Sequence, residues 1–84
     1  MVEHVVVVKW RAGLHARPAS DLVKLANKFK SKITIKKSDM IIDGKSVIGI
    51  MTLGASYKSS LTLVIEGEDE EDALKAIIDL FEEA

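Results

Sequence analysis

The stretch Gly13-Leu14-His15-Ala16-Arg17-Pro18-Ala19-Ser20 gathers within eight positions the residue types that can handle a phosphoryl group. The apolar period of a helix begins just after His15, which places the imidazole at a helix N-cap. The first backbone N–H groups, which lack partners inside the helix, then point toward the ring together with the positive end of the dipole. That environment favours the neutral imidazole and leaves a lone pair available near neutral pH. A phosphoryl group on the ring would meet amide donors suited to anions. Arg17 adds a permanently charged fork for phosphate oxygens. Gly13 allows close approach of the loop, and Pro18 sits in the first turn, where a missing N–H costs nothing. The set holds a nucleophile, a cradle and a counter-charge, with no second base and no metal ligands. It could take and give a phosphoryl group but could not activate water. The same residues also fit a plain surface histidine at a helix start with Arg17 in solvent, and spacing alone leaves both readings open.

The elements that must position this loop can be read from periodicity. Residues 2–9, centred on Val5 to Val8, form a β-branched strand. Its lack of alternation suggests burial on both faces or an inner place in a sheet. Over 16–27, Ala19, Leu22, Val23 and Ala26 mark the buried stripe of an amphipathic helix, with Ser20, Asp21, Lys24, Asn27 and Lys28 facing outward. Lys32 to Lys36 alternates as a strand, turns at Lys37-Ser38-Asp39 and returns over Met40 to Asp43 as a hairpin. Ser46 caps a short helix from Val47 to about Leu53, closed by Gly54. Leu61, Leu63 and Ile65 alternate in a fourth strand ended by Gly67. Asp69 serves as the N-cap of a last helix whose first turn carries Glu70, Glu71 and Asp72, with Leu74, Ile77, Ile78 and Phe81 inward. The order β-α-β-β-α-β-α makes an α+β open-faced sandwich: a four-stranded antiparallel sheet covered on one face by helices, in one domain spanning 1–84. Strand order does not follow from periodicity.

Eighty-four residues support one modest core and no large catalytic cleft. The absence of cysteine removes disulfides, thiol nucleophiles and cysteine-held metals. No apolar run is long enough for a signal segment or a membrane span, so a cytoplasmic protein without membrane attachment is expected. The net charge of −1 is divided along the chain. Residues 1–65 carry eleven Lys and Arg against four Asp and Glu, whereas residues 66–84 carry one Lys against nine acids. A basic surface able to meet acidic partners follows, as does its alternative, scattered lysines around a solvated acidic helix. Arg17, Lys24 and Lys28 recur along one exposed stripe and, with Lys45, would frame His15 in positive charge. Direct nucleic-acid binding is not expected, because no aromatic residues flank those lysines for base stacking. Val47, Ile48 and Met51 sit on a helix too short to bury every side, and an exposed apolar patch beside His15 is expected. Trp10 and His4 read as packing and structural residues.

Gly13 to Ser20 resembles the active-site signature of the histidine-containing phosphocarrier (HPr) family of the bacterial phosphotransferase system. Lys45-Ser46-Val47-Ile48-Gly49-Ile50-Met51-Thr52-Leu53-Gly54 resembles that family's serine signature, in register downstream. The resemblance spans essentially the whole chain. It implies His15 as the residue phosphorylated on Nδ1 by phosphorylated enzyme I, the group then passing to enzyme II A domains, with Arg17 stabilising the phosphate. It also implies Ser46 as a regulatory position, modified in many relatives by an HPr kinase/phosphorylase and then read by a catabolite-control transcription factor. The protein would be a monomeric carrier without cofactor, rather than a stand-alone enzyme. The alternative within the family is a mainly regulatory paralogue acting through Ser46, against which His15 and Arg17 argue. Lys37-Ser38-Asp39 lacks the glycine or asparagine common in that hairpin of relatives, Ile42-Asp43-Gly44 replaces a more typical asparagine-containing approach to the serine, and Tyr57-Lys58 occupies a loop often built from smaller residues.

Overall fold

Alternation sets the core. Leu61, Leu63 and Ile65 in one strand and Ile33 and Ile35 in its neighbour are all at most 1% exposed, while the residues between them face out. A computed structural model describes residues 1–83 and resolves that pattern into β1 (Val2–Val7), α1 (Ala16–Ala26), β2 (Lys32–Lys37), β3 (Met40–Asp43), α2 (Val47–Leu53), β4 (Ser60–Glu66) and α3 (Glu70–Glu82). The strands form one antiparallel sheet in the order β1-β4-β2-β3. Its register aligns Val6 with Leu61, Leu63 with Ile35, and Ile35 with Ile42, so one face is continuously apolar. Against that face pack Ala19, Leu22 and Ala26 of α1, Ile50 and Leu53 of α2, and Ala73, Ile77 and Phe81 of α3. The open-faced α+β sandwich expected from the element order is the fold observed. Val23, Leu74 and Ile78 lie at the edge of the core and are partly buried.

β1 departs from expectation. It is an edge strand, not an inner one: Val6 and Val8 enter the core, while Val5 and Val7 are 57% and 41% exposed on the open face of the sheet. An unbroken valine run hides this alternation, because apolar residues occupy both faces.

Asp69 also behaves differently from its residue type. It stands at the N-cap of α3, yet its side chain caps nothing. Instead the carboxylate accepts hydrogen bonds from Lys30 N–H (2.8 Å), Ser31 N–H (2.9 Å) and the Ser31 hydroxyl, tying the entry to β2 to the start of α3. Gly67 permits the approach, since a Cβ there, at φ 156°, would sit 2.6 Å from Ser31 Cα. The Ser31 hydroxyl first, and then the Lys30 amide, hold the Asp69 carboxyl below its ordinary value. A carboxyl depressed in the folded state contributes stability above its unfolded pKa and loses it as pH falls through the folded one. Asp69→Asn is therefore expected to be less stable than the parent at pH 7. The gap should narrow as urea midpoints are followed below pH 4, and a gap constant with pH would show that the carboxylate charge plays no part.

Candidate functional site

The loop that carries His15 is fastened at both ends. Gly13 N–H donates to Trp10 O (2.8 Å) and Leu14 N–H to Ala55 O (2.8 Å), while Leu14 itself is buried. Gly13 has φ 82°, and a Cβ on it would lie 2.7 Å from Ala55 O, so this approach is open only to glycine. Ala55 follows Gly54, which closes α2 in the left-handed conformation at φ 59°. The loop carrying His15 thus rests on the end of the helix that Ser46 begins. The two motifs, separated in sequence, are one structural unit.

His15 is the N-cap of α1, with extended backbone (φ −83°, ψ −169°), an exposed side chain and no side-chain capping bond. Its carbonyl accepts from Ala19 N–H at 2.9 Å and begins the helix. Pro18 has no N–H to offer, and among the described residues the amides of Ala16 and Arg17 find no acceptor. Two amide donors without acceptors and the positive helix end therefore follow immediately on the residue that carries the ring. Arg17 is exposed and, among the described residues, makes no ion pair or side-chain hydrogen bond. His15, Arg17, Trp10, Pro18 and Asp21 line one open cleft of about 340 Å³. Trp10 packs edge-on against Phe81, with ring centroids 5.2 Å apart, and so fixes one wall of the cleft from the core. Two cleft residues lie outside the sequence motif: Trp10, which sequence alone assigns to packing, and Asp21, which periodicity places on the outer face of α1. Its spacing of four from Arg17 was the available signal.

Ser46 begins α2 and accepts from Gly49 N–H at 3.1 Å, as a capping serine does. Asp43 shapes the approach: its carboxylate accepts from Lys45 N–H (2.9 Å) and its carbonyl from Ser46 N–H (3.1 Å). Val47, Ile48 and Met51 are 40%, 80% and 45% exposed, whereas Ile50 and Leu53 face inward. The short helix presents the expected apolar surface, but Val47 and Ile48 follow Lys45 and Ser46 at the end of α2 that lies by Phe29 rather than by His15.

The basic frame is only partly assembled. Lys24 and Lys28 are exposed along α1 with Arg17. Lys45 instead donates its ammonium to Phe29 O at 2.7 Å, just past the C-terminal end of α1. The whole helix, eleven residues or about 16 Å, separates that end from His15. Lys45 closes α1 and does not face the histidine. Because α2 leaves its Ser46 end beside Phe29 and its Ala55 end beside Leu14, it runs antiparallel to α1.

Fold and site together define an open-faced α+β sandwich with a free histidine at a helix entrance, beside an unpaired arginine. Residues 2–83 match the family model described as PTS HPr component phosphorylation site. The phosphocarrier protein HPr of Treponema pallidum is 45% identical over 82 residues, covering 98% of this chain and 93% of the relative. The HPr-like protein Crh of Halalkalibacterium halodurans is 44% identical, covering 98% of each. The structure of HPr-C-His from Thermoanaerobacter tengcongensis superposes with a TM-score of 0.94 at 45% identity, covering 98% of this chain and 92% of that one; a dimer of HPr from the same organism superposes at 0.79, with 44% identity and coverage of 99% and 95%. The chain belongs to the HPr family of phosphotransferase-system phosphocarriers.

Proposed function

We propose that this chain, acting as one domain over 1–84, is a cytoplasmic phosphocarrier that accepts a phosphoryl group on His15 from phosphorylated enzyme I and gives it to enzyme II A domains of the sugar phosphotransferase system. One observation carries the reading: the imidazole is exposed and unused in capping, beside two amides without acceptors and an unpaired guanidinium. In the transfer, the Nδ1 lone pair attacks phosphorus. The bond from phosphorus to its donor atom on enzyme I breaks, and its electron pair stays on that atom. Arg17 and the Ala16 and Arg17 amides meet the phosphate oxygens. Incubation with phosphoenolpyruvate and enzyme I should yield an acid-labile, base-stable phosphate on the intact protein by mass spectrometry. An unlabelled protein, or label on Ser46, would sink the carrier reading.

Val47, Ile48 and Met51 supply the apolar centre of the docking surface for these partners, with Arg17 and Lys24 at its charged margin. Ile48 is the most exposed of the three, so Ile48→Asp is expected to leave stability within about 0.5 kcal/mol. It should lower kcat/KM for phosphorylation by enzyme I about 10- to 100-fold, as loss of a central anchor does. An unchanged rate would remove the patch from the interface.

The relation to Crh favours a second role through Ser46. A phosphate on its hydroxyl would add about −1.5 to −2 charges at a helix start, where negative charge is tolerated, and next to the apolar patch. An HPr kinase/phosphorylase with ATP should then place an acid-stable phosphate there, for recognition by a catabolite-control transcription factor. The carrier is proposed to act as a monomer; light scattering at working concentration tests this against the dimer of the Thermoanaerobacter relative.

A further inference from the structure

The cleft that exposes His15 and Arg17 also contains a carboxylate, and the chemistry assigned to His15 gives that carboxylate a task. Residues 1–65 hold only four acids, Glu3, Asp21, Asp39 and Asp43, and of these only Asp21 lines the cleft. It lies four residues after Arg17 on the same helix, the spacing at which side chains of opposite charge reach each other. Asp21 also borders the groove between α1 and α3 with Lys24 and Lys28, but among the described residues it pairs with neither, nor with Arg17. A long, unpaired guanidinium thus stands between two anionic positions: Asp21 down the helix, and the place a phosphoryl group would occupy on His15.

We propose that Asp21 is a positioning residue that makes the loaded carrier a readier donor. In the empty protein its carboxylate attracts the Arg17 guanidinium. In the loaded protein the phosphate, carrying about two negative charges at neutral pH by analogy with other phosphorylated side chains, must compete with Asp21 for the same cation and is repelled by it across the cleft. Both effects act against the phosphorylated state, so the group is held less tightly than by His15 and Arg17 alone. The inference rests on His15 being the phosphoryl acceptor. For exposed charges about one helical turn to two turns apart in water, partly screened by salt, the two effects together amount to about a two- to sixfold shift in equilibrium.

A direct competition reads that shift. Equal amounts of 15N-labelled parent and unlabelled Asp21→Asn are mixed with catalytic enzyme I and less phosphoenolpyruvate than total carrier. Intact-mass spectrometry then gives the loaded-to-empty ratio of each protein at equilibrium. At low ionic strength the ratio for Asp21→Asn should exceed that of the parent about two- to sixfold. The excess should shrink toward unity in 1 M salt, and Asp21→Glu should restore the parent value to within about twofold. Glu66→Gln, which removes one negative charge from the exposed far end of β4, should load like the parent. Equal loading of Asp21→Asn and parent at low salt would overturn the proposal, and so would an equal shift with Glu66→Gln, which would reduce it to net charge. Absence of phosphate on both proteins would overturn the carrier reading instead and remove the ground for this one, an outcome distinct from equal loading.

Discussion

His15→Ala is expected to fold with the stability of the parent and to take up no acid-labile phosphate from phosphoenolpyruvate and enzyme I. The two halves of this expectation have separate causes. The imidazole makes no capping hydrogen bond and is exposed, so its removal leaves no buried cavity and no unpaired buried donor. Substitutions of that kind stay within about 0.5 kcal/mol. What is lost is the nitrogen lone pair, and no other side chain in the cleft replaces it: Arg17 is cationic, Asp21 is a weak nucleophile, and Trp10 offers only an indole N–H. His15→Ser sharpens the test. A serine at this N-cap would supply the hydrogen bond that the histidine does not make, raising stability by about 0.5–1 kcal/mol. It would still form no acid-labile phosphate. Chemical denaturation with intact-mass measurement decides both points, and acid-labile label on either variant would move the acceptor away from residue 15.

That separation of folding from chemistry bears on what could be read from the sequence. The capping serine, the left-handed Gly54 and the helix between them were legible because each is a local signal, complete within ten residues. The histidine at a helix entrance was legible for the same reason. What was not legible depends on contacts far apart in the chain. Asp69 has the residue type of an N-cap, but Ser31, 38 positions earlier, takes its carboxylate. Residue type puts Lys45 among the basic residues around His15, but the carbonyl of Phe29 draws its ammonium to the other end of α1. β1 looked like an inner strand because four successive valines conceal which face meets the core. Within the turns Lys37-Ser38-Asp39 and Tyr57-Lys58, which depart in composition from relatives, Ser38 and Lys58 hold φ values of 53° and 71°, conformations that glycine or asparagine adopts more readily. Composition shows the departure, and only the backbone shows that it carries strain. The cleft follows the same rule: His15, Arg17 and Pro18 come from one motif, but Trp10 reaches it by packing on Phe81 from the opposite end of the chain.

Gly13→Ala is expected to lower the unfolding free energy by about 2–5 kcal/mol and to impair phosphoryl acceptance without touching a reacting atom. Two costs combine. The backbone at φ 82° lies where an L-residue is strained by about 1–2 kcal/mol. The added methyl would stand 2.7 Å from Ala55 O and 3.3 Å from Ser56 Cα, and both are backbone, so relief requires moving a chain segment rather than turning a side chain. Overpacking of this kind costs about 1–3 kcal/mol. In a domain of this size the sum lowers Tm by about 10 °C or more. The segment that must give is the one that accepts the Leu14 N–H, so the displacement would pass two residues along to His15 and alter its angle to the Ala16 and Arg17 amides. A misplacement of the order of 1 Å at a transfer centre can cost about 100-fold; kcat/KM for phosphorylation is accordingly expected to fall at least tenfold at a temperature where the variant is fully folded. Urea titration and initial-rate measurement at 10 °C check the two effects independently. A variant as stable as the parent would show that the Gly13–Ala55 contact is not the constraint described here. A destabilised variant with unchanged kinetics would show that the loop holding His15 tolerates displacement at its root.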